Sequence, residues 1–471
     1  MTAPAAIWAP ERRLLTVGLV GLVTCAAFEG MAVPTVLPEL VGELGGLDLY
    51  GWAFSAFWLT NIIGITLAGT DADRRGPGRA LAIGTVLFAT GMVVSGVATG
   101  MPVVIAGRAI QGFGSGALGA VVYAAIARAY HPSARPRMIA LVSSAWIVPG
   151  LVGPALAGLV TDTIGWRWVF LGIVPPVLIM GAAVYPQLAR LGPVERGTRP
   201  ARDDRRRALD ALRLALGSTS VLAALTVGWP LPGIPLLGAG LWLGLAGLRH
   251  LLPPGSLRLA PGRPSVMVAM FAVSFAFFGT EAFVPLTVVE VRGGSVTLGG
   301  IALSAAAVSW GSGSWLQARA ASAGIRRSLV VIGSALVGVG IAVTALVLLP
   351  AAPVLVAAVG WAIAGLGMGL AYSMLALLGL ETSPVGEEGS SSASIQLMFT
   401  LGTAFGAGVG GAIVALADAG TMDLVPALAL VDMIMVVAAV GAVLVALRVP
   451  ARPAPLGTAA ATPGTGALEH S

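Results

Sequence analysis

Residues 50–99 read YGWAFSAFWLTNIIGITLAGTDADRRGPGRALAIGTVLFATGMVVSGVAT, and this stretch decides the fold. An apolar run of about 20 residues is long enough to cross a hydrocarbon layer about 30 Å thick. One such run, 50–70, gives way to Asp71, Asp73, Arg74 and Arg75, passes Gly76-Pro77-Gly78, and a second run, 79–99, begins at Arg79. Two apolar runs joined by a short charged loop form a helical hairpin through a membrane, because the arginines of the loop stay in water.

The same alternation continues in both directions. It gives fourteen spans, at 13–36, 50–70, 79–99, 102–127, 136–162, 167–188, 208–228, 233–251, 265–291, 296–318, 327–349, 352–380, 389–417 and 424–448. With 57% hydrophobic and 10% charged residues among 471, the chain is far from the roughly 25% charged composition of soluble domains. Its 65 glycines and 31 prolines fit membrane helices, where small residues let backbones approach and neighbours satisfy the backbone groups that proline frees. The fold class is therefore an all-α polytopic membrane protein.

Orientation follows from the basic residues, all 27 of which are arginine. Arg12, Arg13, Arg74, Arg75, Arg79, Arg128, Arg135, Arg137, the run from Arg190 to Arg213, Arg249, Arg258, Arg263, Arg319, Arg326, Arg327, Arg448 and Arg452 all fall on one side. Arg108, Arg167 and Arg292 do not. The positive-inside rule then places both termini in the cytoplasm of a cell inner (plasma) membrane protein. The first span is too long for a signal peptide and carries Glu29, so it reads as a retained helix. The net charge of +6 sits in loops and gives no reason to expect nucleic acid.

Polar interruptions divide the chain. Residues 1–190 form an N-terminal six-helix bundle, 191–263 a basic linker with two extra helices, 264–450 a C-terminal six-helix bundle, and 451–471 a tail predicted to be disordered. Phe28-Glu29-Gly30-Met31-Ala32-Val33-Pro34 in span one echoes Phe278-Gly279-Thr280-Glu281-Ala282-Phe283-Val284-Pro285 in span nine. Each places an acid shortly before a proline, which predicts two bundles related as parallel repeats about an axis normal to the membrane.

Four motifs carry a family resemblance. Gly69-Thr70-Asp71-Ala72-Asp73-Arg74-Arg75-Gly76-Pro77-Gly78-Arg79 resembles the Gly-x-x-x-Asp-Arg-x-Gly-Arg loop of the major facilitator superfamily, with Pro77 and Gly78 where basic residues are usual. Arg108-Ala109-Ile110-Gln111-Gly112 in span four is similar to that superfamily's Arg-x-x-Gln-Gly motif. Pro149-Gly150-Leu151-Val152-Gly153-Pro154 through Gly158 resembles its antiporter motif, with Ala157 in place of a second glycine. Glu29 through Leu37-Pro38 parallels the signature of the fourteen-helix drug:proton antiporter branch, with Glu in place of Asp. The resemblance implies alternating access, a proton as the coupled ion and a lipophilic or amphipathic substrate.

Physical chemistry gives these residues roles independently. Asp73 with Arg74 and Arg79, in a segment that also holds Gly69 and Gly76, can bridge helix ends in one state and release them in another. Gly150, Gly153, Pro154 and Gly158 make span five smooth and bent, suited either to close packing or to pivoting. Ionisable groups inside a membrane cost on the order of 2.5 to 3.5 kcal/mol each, so they mark function. Counted at 1.5 Å per residue from the outer helix ends, Glu29 lies ~10 Å deep, Arg108 ~9 Å, Asp432 ~12 Å, Glu281 ~15 Å and Asn61 ~16 Å. That common depth predicts a polar cavity built by five helices. Arg108 keeps its proton, so it needs a partner or water. Glu29 is the expected proton carrier, because pairing favours its charged form and a dry site its neutral one. Glu281, Asn61, Asp432 and Gln111 are the residues expected to line the substrate cavity, with Glu281 the expected contact for a cationic substrate.

Other chemistry has little support. His131, His250 and His470 lie in loops or the tail, and Cys25 is the one cysteine, so no metal site, catalytic triad or disulfide is expected. The glycines of 112–116 lie inside a span with no strand before them and no phosphate-binding lysine after, which argues against a nucleotide. No cofactor is expected. Trp166-Arg167-Trp168 reads as an interfacial anchor. The expected activity is export of a cationic or neutral amphipath in exchange for protons, by a chain working as a monomer in the bilayer. A lipid or glycolipid exporter of the same fold is the alternative within transport. A receptor or lipid-modifying enzyme is the alternative outside it, disfavoured for an enzyme by the lack of a nucleophile or metal site.

Overall fold

The structure is a computed structural model, which describes residues 7–192, 201–226, 233–320, 325–383 and 388–450. The predicted tail lies outside these residues. Every regular element among them is a helix, and fourteen are long and apolar enough to cross a membrane: α1 Pro10–Leu44, α2 Leu47–Arg75, α3 Pro77–Gly96, α4 Met101–Ala129, α5 Arg137–Ile164, α6 Arg167–Ala189, α7 Arg205–Thr226, α8 Gly233–Leu251, α9 Arg263–Val291, α10 Val296–Ala320, α11 Arg326–Leu348, α12 Val356–Glu381, α13 Ser391–Asp418 and α14 Leu424–Ala446. The chain is a multi-pass membrane protein.

Helices α1–α6 and α9–α14 pack in matching patterns. α4 lies against α2 and α3, and α12 lies in the same way against α10 and α11; α1 pairs with α5 as α9 pairs with α13; α6 covers α3 as α14 covers α11. Two seams join the halves, α5 with α10 and α2 with α13, as a two-fold arrangement requires. α7 leans on α2 and α13, and α8 packs on α7, where Gly217 and Gly240 bring the two backbones together.

The match extends to single residues. Arg108-Ala-Ile-Gln-Gly112-Phe-Gly114-Ser-Gly116 in α4 returns in α12 as Trp361-Ala-Ile-Ala-Gly365-Leu-Gly367-Met-Gly369. A side chain on Gly112 would strike the backbone of Phe57, and one on Gly365 that of Ala306. Gly116 sits likewise against Asn61, and Gly369 against Trp310. The glycines are the means by which each trio of helices closes to backbone contact.

Proline decides where helices break. The sequence placed the bend of α5 at Gly150 to Gly158, but the helical run stops at Ser144 and resumes at Ile147. Pro149 lacks an N–H and its ring crowds the carbonyl four residues earlier, on Ala145; Pro154 is carried within the helix. In α9 the straight run ends at Glu281, and a short turn and a π-turn complete the span. Pro285 is four residues beyond Glu281, so the acid sits at the last position before the break. α1 instead continues unbroken through Pro34 and Pro38.

Candidate functional site

In the N-terminal bundle the buried charges converge. The Arg108 guanidinium bonds Glu29 through Nη1, donates from the same nitrogen to Gln111 Oε1 at 2.7 Å, and donates from Nε to the Ala53 carbonyl at 2.9 Å. Its plane lies over the Phe57 ring at 4.3 Å. Glu29 is 1% exposed and Arg108 2%, so the pair is shielded from bulk water and its attraction is correspondingly strong. Glu29 Oε2 and Gln111 Nε2 are buried with no hydrogen-bond partner. An unpaired buried acceptor is costly, and this one is the lone pair on which a proton can be placed.

The cavity beside this pair is shared by both halves. Arg108, Phe57 and Trp58 line it from α4 and α2, and Phe278, Glu281 and Thr403 from α9 and α13, with Gly30 and Pro34 of α1 at its edge. Glu281 has no hydrogen-bond or ion-pair partner among the described residues. The register explains why: the position in α12 matching Arg108 is Trp361, which is fully buried and stacks on Phe277 with ring centres 4.8 Å apart. Aromatic rings continue from there, Phe277 to Trp310, Trp310 to Tyr372, Tyr372 to Phe399 and Phe399 to Trp58. One half of the cavity is thus an ion pair, and the other a lone acid in an aromatic setting.

The remaining predicted residues are placed around this centre. Asn61 donates to the Gly112 carbonyl at 3.4 Å and so fastens α2 to α4. Asp432 accepts from Thr280 at 3.2 Å, on α14 behind α9, and is not in the cavity wall. At the α2–α3 junction, Asp73 and Arg74 in the last turn of α2 and Arg79 in the first turn of α3 are exposed; Asp71 lies 3.8 Å from Arg79 and 3.7 Å from Arg75. Gly76 has φ 90°, and its open face lies against the Leu191 carbonyl, so the loop is seated under the end of α6; Gly69 faces open space. Gly158 packs on Thr297 and Gly150 near Ala307, and Gly300 meets Pro154, which makes the antiporter-like segment one wall of the α5–α10 seam. Gly153 faces Phe28 of α1. Glu381 bonds Arg326.

Several residues escaped the sequence reading. Tyr50, fully buried, donates to the Ala282 carbonyl at 3.0 Å, at the break in α9, and stacks on Phe283. Ser55 donates to the Ala404 carbonyl at 2.8 Å. Asp162 accepts from the Thr297 backbone N–H at 3.1 Å and hydroxyl at 2.5 Å. These bonds join the two halves on the side away from the arginine-rich loops. Towards those loops the Arg108 face of α4 opens: Gly119 has open space before it, and Tyr123 is 59% exposed. The interfacial-anchor reading of Trp166 is corrected: it is 1% exposed and donates to Glu43 at 2.7 Å, with Arg167 on the same carboxylate. Arg292 donates to the carbonyls of Val347, Leu349, Pro350 and Ala352. Both out-of-pattern loop arginines therefore fasten loops. No group of three or more potential metal ligands occurs among the described residues.

Comparison with known proteins agrees with this picture. The family model described as the Major Facilitator Superfamily matches residues 19–407. An uncharacterized MFS-type transporter of Mycobacterium tuberculosis is 31% identical over 324 residues, 64% of this chain and 45% of that protein. Multidrug resistance protein 3 of Bacillus subtilis is 29% identical over 163 residues, 35% of this chain and 32% of the relative. The matched stretch thus spans less than half the length of these curated relatives. An auto inhibited POT family peptide transporter superposes with a TM-score of 0.64 at 16% identity, covering 93% of this chain and 97% of that one. A bacterial homolog of the human lysosomal transporter Spinster, in an inward-facing and unoccupied conformation, gives 0.64 at 15% identity, covering 93% and 98%. At these identities the two structures speak for the fold alone.

Proposed function

Because the chain belongs to the Major Facilitator Superfamily, a family of transporters rather than enzymes, we propose that it exports amphipathic or lipophilic compounds, cationic or neutral, in exchange for protons. The observation that carries this reading is the pairing of Glu29 with Arg108, which lines one cavity together with the unpartnered Glu281. Glu29 is the proton carrier in this mechanism. While it is ionised, Arg108 holds it; a proton on Oε2 cancels the attraction and frees α1 to shift against α4. Glu281 and the rings around it take the substrate, whose positive charge supplies what the missing arginine does not.

Alternating access is supported by the uneven seams. With the arginine-rich side in the cytoplasm of a plasma-membrane protein, the seams bonded by Tyr50, Ser55 and Asp162 are the outer gate, and the cavity faces inward. The antiporter-like wall of α5, with Gly150, Gly153, Pro154 and Gly158 against α10, and the loop of Gly69, Asp73, Arg74, Gly76 and Arg79 are the parts that move or latch. Asn61 and Gln111 hold the charged centre in register, and Asp432 fixes α9 from behind. One chain holds the whole site, so the monomer is the working unit. The multidrug relatives, matched over about a third of their length, support the substrate class.

The test is proton release. Purified protein in weakly buffered detergent solution should release protons when an amphipathic cation is added, and the Glu29→Gln variant should bind the same cation without release. Binding with no proton released by the unmodified protein would remove the coupling from this proposal.

A further inference from the structure

The connection from α8 into α9 builds a second pocket, away from the central cavity. Its walls are the last turn of α8 and residues 252–258, and they carry Arg249 and Arg258 but no acid. Neither guanidinium has a hydrogen-bond or ion-pair partner among the described residues. Elsewhere on the same side arginines are matched, Arg326 with Glu381, Arg79 with Asp71 and Arg213 with Asp210.

The loop is held in a specific shape. Ser256 is 2% exposed and donates from Oγ to the Pro253 carbonyl at 2.8 Å, and the Arg258 N–H reaches the Gly255 carbonyl at 3.0 Å. Leu259 has φ 52°, and it is the one non-glycine residue with positive φ among the described residues. Such a backbone is strained and persists where surrounding contacts impose it, often around a ligand. Ser394 of α13 donates to the Leu251 carbonyl at 3.0 Å, so the pocket is tied to a helix of the central cavity.

We propose that this pocket binds the phosphate of an anionic phospholipid in the leaflet on the arginine-rich side. Two free guanidiniums supply planar donors suited to phosphate oxygens, and basic pockets between membrane helices at this depth suit acidic headgroups. The surroundings select a lipid over a free anion. Leu257, in the pocket wall beside Arg258, is 53% exposed, and Leu241, Trp242 and Leu245 give an exposed apolar flank along α8, on which acyl chains can lie.

The experiment uses the full chain in phosphatidylcholine vesicles doped with phosphatidylglycerol, extracted in mild detergent, with retained lipid counted by native mass spectrometry. One phosphatidylglycerol should stay bound per chain. Arg249→Gln with Arg258→Gln should weaken retention about tenfold, whereas Arg249→Lys with Arg258→Lys, which keeps the charge, should hold it within about threefold. Arg137→Gln, an exposed change elsewhere on the same side, should leave it unchanged. Equal retention by the double glutamine variant and the unmodified protein would overturn the proposal. Release of the lipid by millimolar inorganic phosphate would also overturn it, marking the pocket as a site for free anions.

Discussion

The two halves of this molecule share one backbone plan and differ in one exchange of charge. In the N-terminal half Glu29 faces Arg108 in the motif Arg-Ala-Ile-Gln-Gly; in the C-terminal half Glu281 faces the cavity while the matching motif begins with Trp361. The glycines of both motifs make the same close contacts, so packing alone did not dictate the difference. The frame is symmetric, and an indole standing where the other half carries a guanidinium leaves one of two corresponding acids unclaimed. The paired acid suits proton traffic. The unpaired acid suits a ligand that brings its own charge.

The largest expected effect comes from breaking the paired side. Glu29→Gln should abolish transport driven by a pH gradient in vesicles, by about 100-fold or more, while substrate binding measured on purified protein stays within a few fold. Gradient-driven transport at the unmodified rate would remove Glu29 from the coupling mechanism and leave the pair as a packing feature.

A sharper test transplants the cation. Trp361→Arg places a guanidinium at the position that faces Glu281 if the halves truly correspond. Removing that acid as well, in Trp361→Arg with Glu281→Gln, strands a buried charge and should cost a further 3 to 5 kcal/mol or so, read as a much lower melting temperature than that of Trp361→Arg alone. Equal stability of the two variants would show that position 361 does not face position 281, and the correspondence would fail.

Glu281→Gln by itself should weaken a cationic compound by ~1 to 3 kcal/mol and leave a neutral analogue almost unaffected. Equal losses for both would assign Glu281 to packing. The smallest effect belongs to the loop after α2. Asp71→Asn removes a partly exposed pair and should lower stability by less than about 1 kcal/mol. Asp73→Asn should shift the balance of inward- and outward-open states, read by distance measurements across the arginine-rich side, with little change in stability. Identical distance distributions would leave that loop as a topological anchor.

The sequence made the helices legible because each must bury its own backbone in lipid, and hydropathy reports that need directly. The association of Glu29 with Arg108 was legible too, since charge in an apolar span is conspicuous, whereas the place of the neutral Gln111 beside that pair was not. The breaks were harder. Pro149, rather than Pro154, interrupts α5, and the two lie in the same small-residue run, so local pattern could not rank them. Asp162 escaped notice because its partner, Thr297, is 135 residues away, and Tyr50 because a tyrosine at a helix end reads as an interfacial residue. The α12 repeat was present in the letters. It was hidden because attention to charge passes over a motif whose charged residue has become tryptophan.

The position of α7 has a consequence for routes of entry. Leu222 packs on Gly408 and Thr226 meets Trp52, so α7, with α8 outside it, roofs the seam between α2 and α13. The seam between α5 and α10 has no such roof among the described helices. A compound dissolved in the bilayer therefore meets two unequal flanks, one shuttered by a helical pair and one facing the acyl chains directly. The flanks turned to the bilayer are thus unequal, in contrast to the two-fold frame between them.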